Sequence, residues 1–337
     1  DANNINWIAK KYTNFFGPIS ALIDIIKMTV VCFIEAKKGA SLIHARSYIP
    51  AFVAMIVGRI LNIHYIFDMR ALWPEELITS GRIHRNSFSH KILIALERLA
   101  IKNAFSVVTL TNASLDYIQN LYEPEIQNKK IAVIPTCTDL DKFYPNNAKP
   151  DYVIGCSGSV LNGWFDLDKL GIFYSFLAKR NSLIKFEVTT KDNPLIVKDF
   201  LERTGVPIDR LRVFSSTVEN MPSVNQNQFA SVMFYKGNQV SELGRSPTRM
   251  AEVLGCGNPI ISNSGVGDVA EIVNKYDVGV ILDDCDDTNL EIAYELFLKL
   301  ASDSNTSQRC RNVAEEIFSL SKGVNSYAEL YNQAMLP

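Results

Sequence analysis

The chain has 337 residues, 47% of them apolar, and a formal net charge of −2, which suits two domains better than one and furnishes two cores. Residues 1–150 hold 17 Lys+Arg against 12 Asp+Glu, and the rest hold 17 against 24. That spread argues against general nucleic-acid binding, and it leaves the front half either an ordinary solvated surface or a face toward an anionic membrane or phosphorylated lipid. The six cysteines form no C-x-x-C pair and the four histidines show no metal-ligand spacing, so a reduced, cytoplasmic protein without a disulfide framework, zinc site or other metal is expected.

The chain opens at Asp1 with neither methionine nor a signal-peptide pattern. Residues 19–36 are the longest apolar run, interrupted by Asp24, Lys27 and Glu35. A membrane-spanning helix needs about 20 mostly uncharged residues, so an amphipathic or buried helix is predicted. Short apolar strands then alternate with amphipathic helices, the pattern of an α/β protein with parallel sheets. Front-half strands are predicted at 41–44, 64–67, 106–110 and 131–135, with helices at 49–61, 90–103 and 113–122. The first strand leads into His44-Ala45-Arg46-Ser47 and the second into Asp68-Met69-Arg70, then Trp73-Pro74-Glu75-Glu76. Ligands of open parallel sheets bind beyond the carboxyl ends of the strands. Asp68 and Arg70 are therefore read as a charge pair in a cleft, with a structural ion pair as the plainer alternative. Arg82, His84, Arg85, His90 and Lys91 read as a solvated basic loop.

Residues 146–150 are polar and end in proline, a linker signal. Beyond them, strands are predicted at 152–156, 185–189, 211–214, 230–234, 259–262 and 279–282. Gly155-Cys156-Ser157-Gly158-Ser159 is a strand followed by a turn of small residues that lets a phosphate or sugar approach the backbone at Gly158 and Ser159. Thr190 lies at the end of the next strand. The segment Arg245-Ser246-Pro247-Thr248-Arg249-Met250-Ala251-Glu252 reads as a helix start, with Ser246 as N-cap and Pro247 first in the helix. Two arginines flank that start, where free N–H groups already favour an anion. Thr248, Arg249 and Glu252 share a face, and the Glu252 carboxylate can accept both hydroxyls of a ribose. Gly267 offers an amide to a donor sugar, and Asp268 is expected to cap the helix that follows.

The stretch from Ser246 to Ile261 resembles the donor-site helix of the retaining glycosyltransferase family four. It is similar to the subgroup with Ser-Pro-Thr-Lys-x-x-Glu ahead of Gly-x-Pro-Val-Ile, with Arg249 in the lysine place. Asp68-Met69-Arg70-x-Leu72-Trp73-x-x-Glu76 and His44-Ala45-Arg46-Ser47 resemble two further signatures of that subgroup, in the same order. The chain departs from the commoner Glu-x7-Glu pattern, because Gly244 stands in the first glutamate's place and Glu242 lies two residues earlier. In the family that glutamate touches the donor sugar. The resemblance implies a GT-B fold, two Rossmann-like domains facing each other across a cleft. Residues 1–148 would form the acceptor side, 149–322 the nucleotide-sugar domain, and 323–337 a helix crossing back. A first strand and Gly-rich loop would lie upstream of Asp1.

The expected activity is retaining transfer of a sugar from a nucleotide-diphosphate sugar, with no cofactor and no metal, to a glycan or lipid-linked acceptor in bacterial polysaccharide assembly. Arg245, Ser246, Thr248, Arg249, Glu252, Gly158, Ser159, Thr190, Gly267 and Asp268 would bind the donor. Asp68, Arg70 and Arg249 would carry catalysis, and His44, Arg46 and Glu76 would face the acceptor. A cytoplasmic protein touching the inner membrane face peripherally follows from the same reading. Two rivals are a GT-B nucleotide-sugar epimerase and a catalytically silent GT-B subunit.

Overall fold

The computed structural model describes residues 5–13, 18–123, 126–146 and 152–336. The boundary expected at 148–149 and most of the linker lie outside them. The front half runs α1 (Pro18–Ala36), β1 (Leu42–Arg46), α2 (Tyr48–Leu61), β2 (His64–Asp68), α3 (Trp73–Thr79), α4 (Phe88–Asn103), β3 (Ser106–Thr109), α5 (Asn112–Tyr122) and β4 (Lys130–Val133). The back half begins with β5 (Val153–Ser157), α6 (Leu167–Arg180), β6 (Lys185–Thr189), α7 (Pro194–Arg203), β7 (Leu211–Phe214), α8 (Met221–Gln226) and β8 (Ala230–Met233). It continues with α9 (Thr248–Gly255), β9 (Ile260–Ser262), α10 (Val269–Tyr276), β10 (Gly279–Ile281), α11 (Asp287–Ser302), α12 (Thr306–Ile317) and α13 (Leu320–Met335).

The described strands form two parallel sheets, in the orders β1-β2-β3-β4 and β10-β9-β8-β5-β6-β7. Helices cover both faces, which is why the central strands are almost continuously apolar rather than alternating. In the front sheet Phe67 and Val107 point toward α2, α4 and α5, where Tyr48, Ala51, Ile101 and Ile118 meet them. Ile66 and Val108 point the other way, onto Leu330 of α13. The last helix of the chain thus lies on the first sheet. In the back sheet, the strand order reverses at β5, which is flanked by β8 and β6. Such a switch point leaves a crevice beyond the strand ends.

The apolar run at the start is helix α1, packed on α2 through Val53 and Val57. Among the described residues no helix is long and apolar enough to cross a membrane. In the basic loop Arg82, His84, Arg85 and Lys91 are exposed as expected, and only His90 is buried. Arg85 donates to the buried Glu75 carboxylate at 2.5 and 3.1 Å, and Tyr117 donates to it at 2.8 Å. His90 is buried, and its Nδ1 accepts the Asn86 N–H.

Candidate functional site

The crevice at the β5 switch point is a cavity of about 530 Å³ lined by Gly158, Thr190, Arg245, Thr248, Arg249 and Glu252, among others. Helix α9 sets most of it. Met250, Ala251, Val253 and Leu254 are buried against the sheet, which turns Arg249 and Glu252, three apart, to the opposite face and the cavity. Gly158 follows β5 with φ +106°, and a Cβ there would overlap the Arg249 guanidinium. Glycine therefore lets the arginine lie across the strand end. Arg249 also sits 5.8 Å from the Phe165 ring and 5.7 Å from the Tyr235 ring. Its Nη1 is buried with no hydrogen-bond partner among the described residues. The Glu252 carboxyl is pushed up to about 6 by burial, with Arg249 acting against the shift.

Four other donor-side expectations take a different form. The Ser246 hydroxyl does not cap α9; it accepts the Thr136 N–H of the front domain at 3.1 Å, and the helix begins at Thr248 with Pro247 before it. Arg245 is not a free cation. Its Nε and Nη2 donate to the fully buried Glu242 at 2.6 and 3.0 Å, and it stacks 5.0 Å from the Trp164 ring. Ser159 turns its hydroxyl to Asp192, which also accepts the Val160 and Leu161 amides at 2.6 and 2.9 Å. Despite some burial, those hydrogen bonds hold the Asp192 carboxyl below its ordinary range. The Gly267 N–H donates to the Glu242 carbonyl at 2.9 Å.

Asp268 does not cap its own helix, α10. Its carboxylate accepts the Asn112 and Ala113 amides at 2.7 and 2.9 Å and the Asn112 side chain at 3.0 Å. These are free donors at the start of α5, where a carboxylate is favoured by both hydrogen bonding and the helix dipole. The cap is thus supplied across the domain interface. Thr111, just before α5, adds a hydrogen bond to the Leu243 carbonyl at 2.5 Å. Gly244 packs against the front loop, and a Cβ on it would lie 3.2 Å from the Leu72 nitrogen. A side chain at 244 would require that loop to give by a few tenths of an ångström.

On the front domain, Asp68 and Arg70 do not pair. Asp68 lies on the face of β2 that carries Ile66, toward α13. There its Oδ2 accepts the Tyr327 hydroxyl at 3.1 Å, with His44 Nε2 at 3.5 Å and Arg46 Nε at 3.8 Å. Its Oδ1 is buried without a partner among the described residues. His44 Nδ1 lies 2.5 Å from the Tyr331 hydroxyl. Arg70 is exposed with φ +47°, so the backbone turns it away from its neighbour. His44, Arg46, Asp68 and Arg70 form one end of the front sheet but line neither the donor cavity nor a second cavity, of about 380 Å³, between the domains. Glu76, raised by burial in spite of Arg245, sits near the Glu242–Arg245 pair.

The loop carrying Arg70 is held from behind. The Tyr48 hydroxyl lies 2.5 Å from Glu97 and 3.0 Å from the Ala71 carbonyl, and it accepts the Trp73 N–H at 3.2 Å. Tyr122 also donates to Glu97. Burial pushes the Glu97 carboxyl up to about 7. Sequence reasoning missed Glu97, Tyr48 and Tyr235, each a polar residue outside the motifs it singled out.

Residues 5–142 match the family model described as Glycosyltransferase Family 4. The chain has the GT-B fold, and its front domain is similar to that family. Three solved structures show the same fold across both domains. A glycosyltransferase from Rickettsia africae aligns at 15% identity over 97% of this chain and 84% of its own, with a TM-score of 0.72. Sucrose-phosphate synthase from Thermosynechococcus elongatus aligns at 15% over 95% and 80%, with 0.69. HepE from Anabaena, in complex with UDP and glucose, aligns at 15% over 95% and 84%, with 0.64. No curated protein sequence matches the GT-B chain significantly.

Proposed function

We propose that this GT-B chain is a glycosyltransferase that takes a sugar from a nucleotide-diphosphate sugar, and that the nucleotide binds the back-domain cavity. The observation that carries the reading is the pairing of Arg249, whose buried Nη1 lacks an acceptor, with the half-buried carboxylate of Glu252 one turn along α9. A diphosphate supplies the acceptor and a ribose diol supplies hydroxyls to the carboxylate. The structures of HepE with UDP and with UDP-glucose support a donor of this class.

Charge on the departing diphosphate would fall on Arg249 and the start of α9, which is fixed electrostatic stabilisation that needs no metal. Retention at the anomeric carbon, a glycan or lipid-linked acceptor, a role in bacterial polysaccharide assembly and a cytoplasmic site at the inner membrane face follow from the resemblance and complete the proposal. The acceptor would approach from the front domain, where Asp68, His44 and Arg46 stand together.

The test is a titration with nucleoside diphosphates, followed by a donor panel that measures nucleotide release with and without acceptor. Binding should survive a chelator, and loss of affinity with chelation would overturn the metal-free reading. Release that depends on acceptor separates transfer from epimerisation. Binding without any release on any donor identifies a silent subunit.

A further inference from the structure

Tyr235 follows β8 at the edge of the donor cavity and is 4% exposed. Its backbone is fully engaged: the N–H donates to Asn263 Oδ1 at 2.8 Å and the carbonyl accepts from Asn263 Nδ2 at 3.1 Å. Its ring stands edge-on to Phe165 at 6.4 Å. The hydroxyl, by contrast, has no partner among the described residues. Buried hydroxyls are ordinarily hydrogen-bonded, and one left alone calls for a specific reason.

The surroundings supply that reason. The guanidinium groups of Arg249 and Arg245 face the Tyr235 ring at 5.7 and 5.9 Å. Arg249 Nη1 is itself buried and unmatched. Two unpartnered donors, one from the segment just after β8 and one from α9, therefore meet on one wall of the same cavity. Of the nearby carboxylates, Glu242 is held by Arg245 and Asp192 by the loop after β5, and Glu252 is the one assigned to the ribose. The wall lacks an acceptor with several lone pairs and negative charge.

We propose that the Tyr235 hydroxyl donates to the terminal phosphate of a bound nucleoside diphosphate, beside Arg249, and so makes the site prefer diphosphates to monophosphates. This inference rests on the nucleotide-sugar reading and deepens it. A neutral sugar hydroxyl would not answer the unpaired Arg249 cation, whereas a phosphate oxygen accepts from the phenol and the guanidinium together. With the ribose at Glu252 and the first phosphate at the start of α9, the second phosphate reaches the end of β8. The same phenol then faces the oxygen on which charge gathers as the sugar leaves.

The experiment compares wild type with Tyr235→Phe, titrating UDP, GDP and ADP and the matching monophosphates, and measures the melting temperature of each unliganded protein. The variant should lose about tenfold in diphosphate affinity, the scale of one hydrogen bond to a charged acceptor. Its monophosphate affinity should stay at the wild-type level. Its melting temperature should be unchanged or higher, because an unpaired buried oxygen has been removed. Equal diphosphate affinity in the two proteins overturns the assignment and leaves the site reading standing, as does an equal loss for mono- and diphosphates. Failure of the wild type to bind any of the three diphosphates removes the site reading and this inference with it.

Discussion

Glu252 shows how a ligand-binding carboxylate burdens the unliganded protein. Its carboxyl sits near 6 against an ordinary 4.5, raised by burial. The folded state therefore holds a proton that the unfolded chain releases as pH rises from about 4.5 to about 6. Stability from this group is full below that window and lost across it, by about 2 kcal/mol. Glu252→Gln should thus be more stable than wild type at pH 7.5 and gain nothing at pH 4, as read by urea unfolding at the two pH values. The same variant should bind ribonucleotides more weakly while leaving dideoxyribose analogues nearly unaffected, because an amide keeps only part of a charged acceptor's contribution of about 1.5–3 kcal/mol. Equal weakening of both analogue classes would show that Glu252 does not meet the ribose. Arg249→Ala should weaken diphosphate binding by about ten- to a hundredfold on the same hydrogen-bond scale, and calorimetry reads that loss directly.

The loop after β2 depends on the helices beneath it. Tyr48 of α2, itself bonded to Glu97 of α4, meets the Ala71 carbonyl and the Trp73 N–H of that loop. Tyr48→Phe leaves the Glu97 carboxylate and the Trp73 N–H short of a partner and should cost about 1–3 kcal/mol, with Glu97→Gln, which keeps hydrogen bonding, costing less at pH 8; urea midpoints at constant slope decide between them. The sequence revealed the elements themselves well, because strands such as 230–233 are apolar but for the small Ser231 and α9 follows directly on Ser-Pro. It also placed Gly158, Thr190, Thr248, Arg249 and Glu252 around one cavity, since strand ends and a helix start converge by topology. It misjudged side-chain partners. The apparent Asp68–Arg70 pair dissolves because Arg70 lies beyond the end of β2 with φ +47°, where the chain has left the strand's course, and Asp268 serves α5 rather than α10 because the nearest free amides lie on another domain. Proximity in the chain is a poor guide to partners whenever an interface intervenes.

Across the whole molecule, Asp268, Thr111, Ser246 and Gly244 hold the two domains in contact on the rim of the cleft. Asp268→Ala should loosen that contact. The radius of gyration from X-ray scattering should rise above the wild-type value, while circular dichroism stays unchanged. An identical scattering curve would mean that the remaining contacts hold the domains without Asp268. A further consequence follows from α13, which lies on the front sheet through Leu330 while its Tyr327 reaches Asp68. During synthesis the front domain emerges before the back domain, yet the Ile66–Val108 face of its sheet stays without α13 until that helix has left the ribosome. Ile66, Val108 and Ile134 must wait through translation of the entire back domain, at roughly 5–20 residues per second. The nascent chain therefore passes a long interval with an open apolar sheet face, and holding chaperones should be recovered on ribosome-stalled chains that end before residue 320 far more than on released protein.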